Sequence, residues 1–591
     1  MSKPLGDNVK GEPLEGGMIS SKYSLMSRQT LNQKENIIWN ILSHGRVPNE
    51  GLNEITIMTL LHQISSQNLC NSEKNVKIGE RENRIYSAFV RSKYIGFGHG
   101  IGRSGNLEEA QPKSAGNSIL AKVTTRMVKD IIRSFGIKSC EEVYILPYAT
   151  GMCISTCLLY LKRLRTNSEY VLISRIDHKT CYKCIDFCNL KYIVIDMLYR
   201  DNELCTDIEK MKNVIEEHGN KICCVISVTS SYAPRNADDI VKISLLCNKY
   251  DIPHIINNAF GLQCIYICKE IQKCFDLKGR IDFIVQSCDK NFLLPVCGSI
   301  VFSSNKTKIN EMKKLYPGRT PVHAYLDLFI TLLELGKKKI LQLRKERVKN
   351  FEWLKEQVIE ICLKYNLHLI KSSRNFISMA INLNELYKYC GKDNPRAISL
   401  LGSFLFYRNV TGHRVICSPM MTGACVSSKN KREAVEAVEA VRVASETNSV
   451  EAEVPIDHVP IRGVPIDHVP IRDVLIDDVP IRNVPIDDVP IRDVQISCSE
   501  KEKANGEASK RGLSPGSYSY PGKLENGAEK SKVIIGNHTF QNFGSSCDAY
   551  PFSYIAFSCV IGIERPELRR FVQKLDDSIS HFIRRFQARR P

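Results

Sequence analysis

The sequence predicts an α/β protein: a mostly parallel, doubly wound sheet with an N-terminal helical extension and a smaller C-terminal α/β domain. Two observations predict it. From about residue 120 to 305, short β-rich runs alternate with amphipathic segments, the pattern of parallel strands wrapped by helices. On either side, apolar residues recur at three- and four-residue spacing, which lines them along one face of a helix.

In chain order, residues 1–95 form the extension, with helices expected over 32–42 and 52–64. Residues 96–340 form the large domain. Its strands are expected at 142–146, 169–173, 192–195, 222–228, 254–256 and 281–285, and a helix over 239–250. A long helix over about 322–366 leads into the smaller domain, 341–426 and 533–591. Residues 427–532 interrupt it. There a ten-residue unit, VPIDHVPIRG, recurs from Val454 to about Asp493, with proline about every fifth residue. Proline fixes φ and lacks an N–H, so neither a helix nor a central strand runs through it. This segment is expected to be a disordered insertion.

Composition bounds the function. The formal net charge of +18 favours a polyanionic partner such as nucleic acid. No apolar stretch is long enough to cross a bilayer, and the first residues, MSKPLGDNVKGEPLEGG, lack the apolar core of a secretory signal. A cytoplasmic protein without membrane contact is expected. The 23 cysteines fall largely in apolar runs such as Ile222-Cys-Cys-Val225, where a free thiol acts as a small buried hydrophobe in a reducing compartment. Cys181, Cys184 and Cys188 have metal-like spacing but no second matching pair, so no metal is expected.

The chemistry concentrates at strand ends, where a wound sheet keeps its site. The strand at 281–285 delivers Lys290 to its carboxyl end. An amine desolvated there by apolar neighbours has a lowered pKa and attacks aldehydes. Ala149-Thr150-Gly151 follows another strand and opens a helix, offering backbone N–H groups to a phosphate. Asn257-Asn258 places two amides at a third strand end, and His178 a stackable ring at a fourth. A second anion-type group comprises the loop Gly98-His-Gly-Ile-Gly-Arg103-Ser104-Gly105, with Gln111-Pro-Lys113, Glu80-Arg81 and Tyr316-Pro-Gly-Arg319. Its flexible backbone, hydroxyl and cations suit an oxyanion. One group would serve a cofactor and the other a substrate.

The segments GERENR, HGIGRSGNLEEAQPKSAG, PYATGM, APR, YDIPHIINNAFG, VQSCDKNFLLPVCGSI and LYPGR closely resemble the O-phosphoseryl-tRNA(Sec):selenocysteinyl-tRNA synthase family, over about residues 30–425 and 533–580. The resemblance implies a fold type I pyridoxal-phosphate transferase, aspartate aminotransferase-like, that turns phosphoseryl-tRNA(Sec) into selenocysteinyl-tRNA(Sec) with selenophosphate. It implies Lys290 as the Schiff-base lysine, Ala149, Thr150 and Gly151 as the turn for the pyridoxal 5'-phosphate group, and Arg81 near the cofactor. Glu80 matches a position that repels free amino acids. Arg103, Ser104, Gln111, Lys113 and Arg319 match the group that holds the phosphoseryl phosphate. A homotetramer is implied, with active sites at dimer interfaces and tRNA bound across subunits; the N-terminal helices help assembly. Arg408 and Arg414 lie in a stretch that approaches the tRNA in that family.

Two features bear on the resemblance. Asn257 or Asn258 stands where aminotransferases place an aspartate beside the pyridine nitrogen, and His178 stands where the family carries glutamine. Separately, the basic C-terminus, with Arg569, Arg570, Arg584 and Arg585, suits an RNA backbone. The alternatives are another fold type I enzyme acting on a free amino acid, as a desulfurase or decarboxylase does, and a tRNA-binding protein without catalysis.

Overall fold

The computed structural model describes residues 21–103, 105–176, 178–232, 234–390, 395–417, 532–535, 538–541 and 552–588. Ser104 and, but for Lys532, the 427–532 insertion lie outside the described residues.

Among the described residues, nine strands precede residue 305: β1 (Glu142–Leu146), β2 (Tyr170–Ser174), β3 (Lys191–Ile195), β4 (Met197–Arg200), β5 (Glu203–Thr206), β6 (Ile222–Val228), β7 (His254–Asn257), β8 (Phe283–Ser287) and β9 (Ser299–Ser303). Seven of them form the main sheet in the order β1-β9-β8-β7-β6-β2-β3, and β4 and β5 pair as a separate ribbon. β8, β7, β6, β2 and β3 are parallel, whereas β9 runs antiparallel to both β8 and β1. The six expected strands all form, each within about two residues of its expected bounds. The sequence reading missed β9, which separates β1 from β8. The sheet is covered on both faces, so its central strands are continuous apolar runs. In β6 every residue is buried, with Cys223 and Cys224 as compact fillers.

The expected helix at 239–250 forms as Ile240–Lys249, its Asp239 side chain accepting from the Lys242 N–H. Helices Ser21–His44 and Glu54–Ser65 build the N-terminal part. Ile57, Leu60, Leu61 and Ile64 recur on one face and share a core with Met127 and Ile131 of helix Ala115–Ser134 and Phe329 and Leu333 of helix His323–Tyr365. That last helix breaks at Gly336 (φ 64°, ψ 171°). A Cβ there would meet the carbonyl carbon of Glu50 at 2.6 Å and the nitrogen of Gly51 at 2.7 Å. The break lets the 48–52 segment dock, with the Lys337 N–H bonded to the Pro48 carbonyl at 2.8 Å.

Six strands follow among the described residues: β10 (His368–Leu369), β11 (Ser378–Asn382), β12 (Arg414–Ile416), β13 (Lys532–Ile535), β14 (His538–Gln541) and β15 (Tyr554–Ser558). The second sheet has the order β10-β11-β15-β12, and β13 pairs with β14. The terminal helix, Arg565–Gln587, buries Leu568, Leu575, Ile579 and Phe582. These share a core with Leu354 and Val358 of the long helix and Leu401 and Leu405 of helix Leu400–Tyr407. Among the described residues, no helix is long and apolar enough to cross a membrane.

Candidate active site

β8 is buried along its whole length and runs into one short helix, Cys288–Phe292, which carries Lys290. The Lys290 carbonyl accepts from Gln263 Nε2 at 3.0 Å, and Asn291 Nδ2 bonds back to the Ser287 carbonyl at 2.8 Å, fixing the turn. The amine sits 5.9 Å from the Phe260 ring centre. The expected desolvation by apolar neighbours is not found: the side chain of Lys290 is exposed in the single chain. The helical turn lifts it off the end of β8.

The other strand-end residues gather near Lys290. Thr150 opens helix Thr150–Leu164, with Ala149 as its N-cap, and its hydroxyl lies 2.5 Å from Ser287 Oγ at the end of β8. Gly151 has a packing reason: a Cβ there would approach Thr180 Cγ2 to 2.4 Å. His178 caps helix Lys179–Asp186. His178 is exposed in the single chain. Partial desolvation, then the charges of Lys290 and Arg414, hold it below the usual histidine pKa. Asn257 ends β7; its Nδ2 lies 3.4 Å from Cys181 Sγ, and its buried Oδ1 has no hydrogen-bond partner. Asn258 Oδ1 accepts from Thr229 Oγ1 at 2.6 Å, and its buried Nδ2 has no hydrogen-bond partner. Burial pushes the Cys181 thiol up to about 12, opposed by Asn257 and by the Lys290 charge.

The second group forms around the Gly-rich loop. Gly100 and Gly102 both have positive φ, and a Cβ on Gly102 would meet Leu107 Cα at 2.6 Å. Ile101 and Thr320 exchange backbone hydrogen bonds at 2.9 and 3.0 Å, seating the loop beside the Tyr316–Arg319 turn. Arg319 bonds His99, and Lys113 Nζ pairs with Glu82 at 2.5 Å. The Glu82 carboxyl is held low by its hydrogen bond to Lys113. Arg319 is pulled below its ordinary value by burial and then by the nearby Arg81. Arg81 and Glu80 pair at 3.4 Å on the exposed rim. Arg103 reaches Glu109 at 3.9 Å, and Gln111 is buried, its N–H bonded to Ser118 Oγ at 3.0 Å.

Arg414, expected at the tRNA, lies on the Lys290 side of the molecule. It stands 5.5 Å from the Tyr232 ring centre and bears on His178. Arg408 bonds the Phe404 carbonyl at 3.1 Å, and Arg585 lies 5.7 Å from the Phe404 ring centre. Arg569, Arg570 and Arg584 are exposed on the terminal helix, whose rise puts the first and last about 22 Å apart. Sequence reasoning missed Ser287, Phe260, Cys181, His99 and Glu82 as site residues. Ser287 and His99 stood inside quoted motifs, but nothing local marked their partners.

Residues 65–448 match the family model described as O-phosphoseryl-tRNA(Sec) selenium transferase, SepSecS. The chain belongs to the O-phosphoseryl-tRNA(Sec) selenium transferase family. It is 39% identical over 422 residues to the transferase of that name from Dictyostelium discoideum, covering 69% of this chain and 88% of the relative. The Caenorhabditis elegans transferase is 32% identical over 404 residues, covering 68% and 82%. A crystal structure of an archaeal O-phosphoseryl-tRNA(Sec) selenium transferase superposes with a TM-score of 0.69 at 23% identity, covering 95% of this chain and 98% of that one. The selenium transferase fold is thus shared well beyond the central sheet.

Proposed function

We propose that this chain converts O-phosphoseryl-tRNA(Sec) to selenocysteinyl-tRNA(Sec), with selenophosphate as selenium donor and pyridoxal 5'-phosphate carried on Lys290. The observation that carries the reading is the pairing, in a chain of this family, of a lysine-bearing group of strand ends with a separate oxyanion group. The strand-end group suits the cofactor. Asn257 Oδ1 beside Cys181 and Asn258 Nδ2 are both buried and unpartnered, so this amide pair offers both an acceptor and a donor for the pyridine nitrogen. The helix opened by Thr150 presents first-turn N–H groups with no intrahelical partner. His178 supplies a neutral ring for stacking.

When bound, the cofactor supplies an aldehyde for the substrate amine and a sink for the electrons of the α-carbon. The protein supplies the rest. The Lys290 amine, freed by the substrate, takes the α-proton as general base. Arg103, Ser104, Gln111, Lys113 and Arg319 hold the phosphate and stabilise it as it leaves. Glu80 places a carboxylate where a free amino acid would bring its own, so like charges reject it, whereas an aminoacyl ester passes.

The family resemblance implies active sites at the dimer interfaces of a homotetramer, and on that reading one copy gives Lys290 and the other the oxyanion group. Exposed Val76, Ile78, Tyr86 and Phe89 flank the Glu80-Arg81 pair, as a surface covered by a second copy would. The basic residues Arg408, Arg569, Arg570, Arg584 and Arg585 serve the tRNA backbone.

The test compares substrates. Purified protein with pyridoxal phosphate and selenophosphate receives either O-phosphoseryl-tRNA(Sec) or free O-phosphoserine. Selenocysteinyl-tRNA from the first and no turnover of the second is expected. Turnover of the free amino acid alone would move the chain to the desulfurase or decarboxylase-like reading.

A further inference from the structure

The least explained member of the oxyanion group is His99. It is nearly buried, at 7% exposure. The Arg319 guanidinium bonds both its Nδ1 and its backbone carbonyl. Ser114 Oγ lies 2.8 Å from the same nitrogen. The ring also forms a hydrogen bond with the backbone at Arg81. A guanidinium only donates, so Nδ1 must accept, and the single imidazole proton belongs on Nε2. An imidazolium would have no acceptor to offer. The surroundings keep the ring neutral: burial first, then Arg319 and Lys113, lower its pKa to about 4 against the opposing pull of Glu82.

Arg319 needs such a partner. Its Nε is buried with no hydrogen-bond partner, and Arg81 repels it. Left alone, a long flexible cation beside another cation turns toward water, and recalling it on binding costs entropy. We propose that His99 is a positioning residue: as a hydrogen-bond acceptor it aims Arg319 and ties it to the Arg81 segment, so that a substrate phosphate meets a preset site. This rests on the reading of Arg319 as a ligand of the phosphoseryl phosphate.

The cofactor-loaded enzyme is assayed with O-phosphoseryl-tRNA(Sec) and selenophosphate as wild type, R319A, H99F, H99N and the double variant H99F/R319A. H99F keeps ring volume without an acceptor, and H99N offers an amide oxygen near the Nδ1 position. H99F is expected to lower kcat/KM about tenfold or more, H99N to stay within about threefold, and H99F to cost nothing further once Arg319 is gone. Thermal unfolding and the visible absorbance of bound cofactor report the integrity of each variant; where H99F does not fold, H99A replaces it. Wild-type kcat/KM in H99F beside a loss in R319A overturns the proposal. So do losses in the two single variants that simply add. A wild type inert toward phosphoseryl-tRNA would sink the functional reading first, and the positioning role with it.

Discussion

Lys290 owes its place to a change of backbone. A strand buried end to end stops at Ser287, and one helical turn carries the next residues off its end. Removing the amine removes both cofactor attachment and the base, so K290A should lower turnover by about 10³-fold or more, measured in single-turnover assays with phosphoseryl-tRNA. R319A should act differently. A charged hydrogen bond to phosphate is worth about 1.5–3 kcal/mol, so kcat/KM should fall about 10- to 150-fold while the cofactor spectrum stays unchanged. An altered spectrum would put Arg319 at the wrong group. His178→Ala should shift the absorbance of the bound cofactor; an unchanged spectrum and turnover would end its stacking role. Lys290, Thr150 and Asn257 were legible in the sequence because each follows a β-rich run, and a wound sheet collects its strand ends. The partners were not. Thr150 meets Ser287 137 residues away, and His99 meets Arg319 220 residues away. Local pattern carries no record of such pairings.

At the scale of elements, two strained or buried features set stability. Gly336 holds a left-handed φ inside a long helix and lies against the backbone of Glu50 and Gly51. Gly336→Ala should destabilise by about 2–4 kcal/mol, read from urea denaturation. His254, on β7, is fully buried, bonded to Ser227 Oγ at 2.7 Å and to the Arg280 carbonyl at 3.0 Å. Burial lowers its pKa to about 4, against about 6.5 in the unfolded chain. Between those values the unfolded state binds a proton that the folded state does not. Stability is therefore full above about pH 6.5 and is lost as pH falls toward 4. The urea midpoint should drop between pH 7 and 5 and drop less in His254→Asn; His99 titrates in the same window and leaves a residual slope. The parallel strands were legible as apolar runs. β9 was not, because inserting it antiparallel between β1 and β8 is a long-range choice that its own five residues do not encode.

For the whole molecule, the proposed assembly of each site from two copies is open to a direct test by subunit mixing. Mixing K290A protein with the strongly impaired R319A protein under conditions that exchange subunits should raise activity to about a quarter of wild type, since half the pairs are then mixed and each mixed pair carries one intact site of two. No recovery after proven exchange would place both groups in one chain's site. The exposed arginines of the terminal helix predict tRNA affinity that falls steeply with salt, and replacing Arg569 and Arg570 with alanine should reduce the slope of log K against log salt by about 2. The measurement that bears most directly on the account is borohydride reduction of the cofactor-reconstituted protein followed by peptide mapping. A pyridoxyl adduct on Lys290 is predicted. A colourless protein, or an adduct on any other lysine, would contradict it.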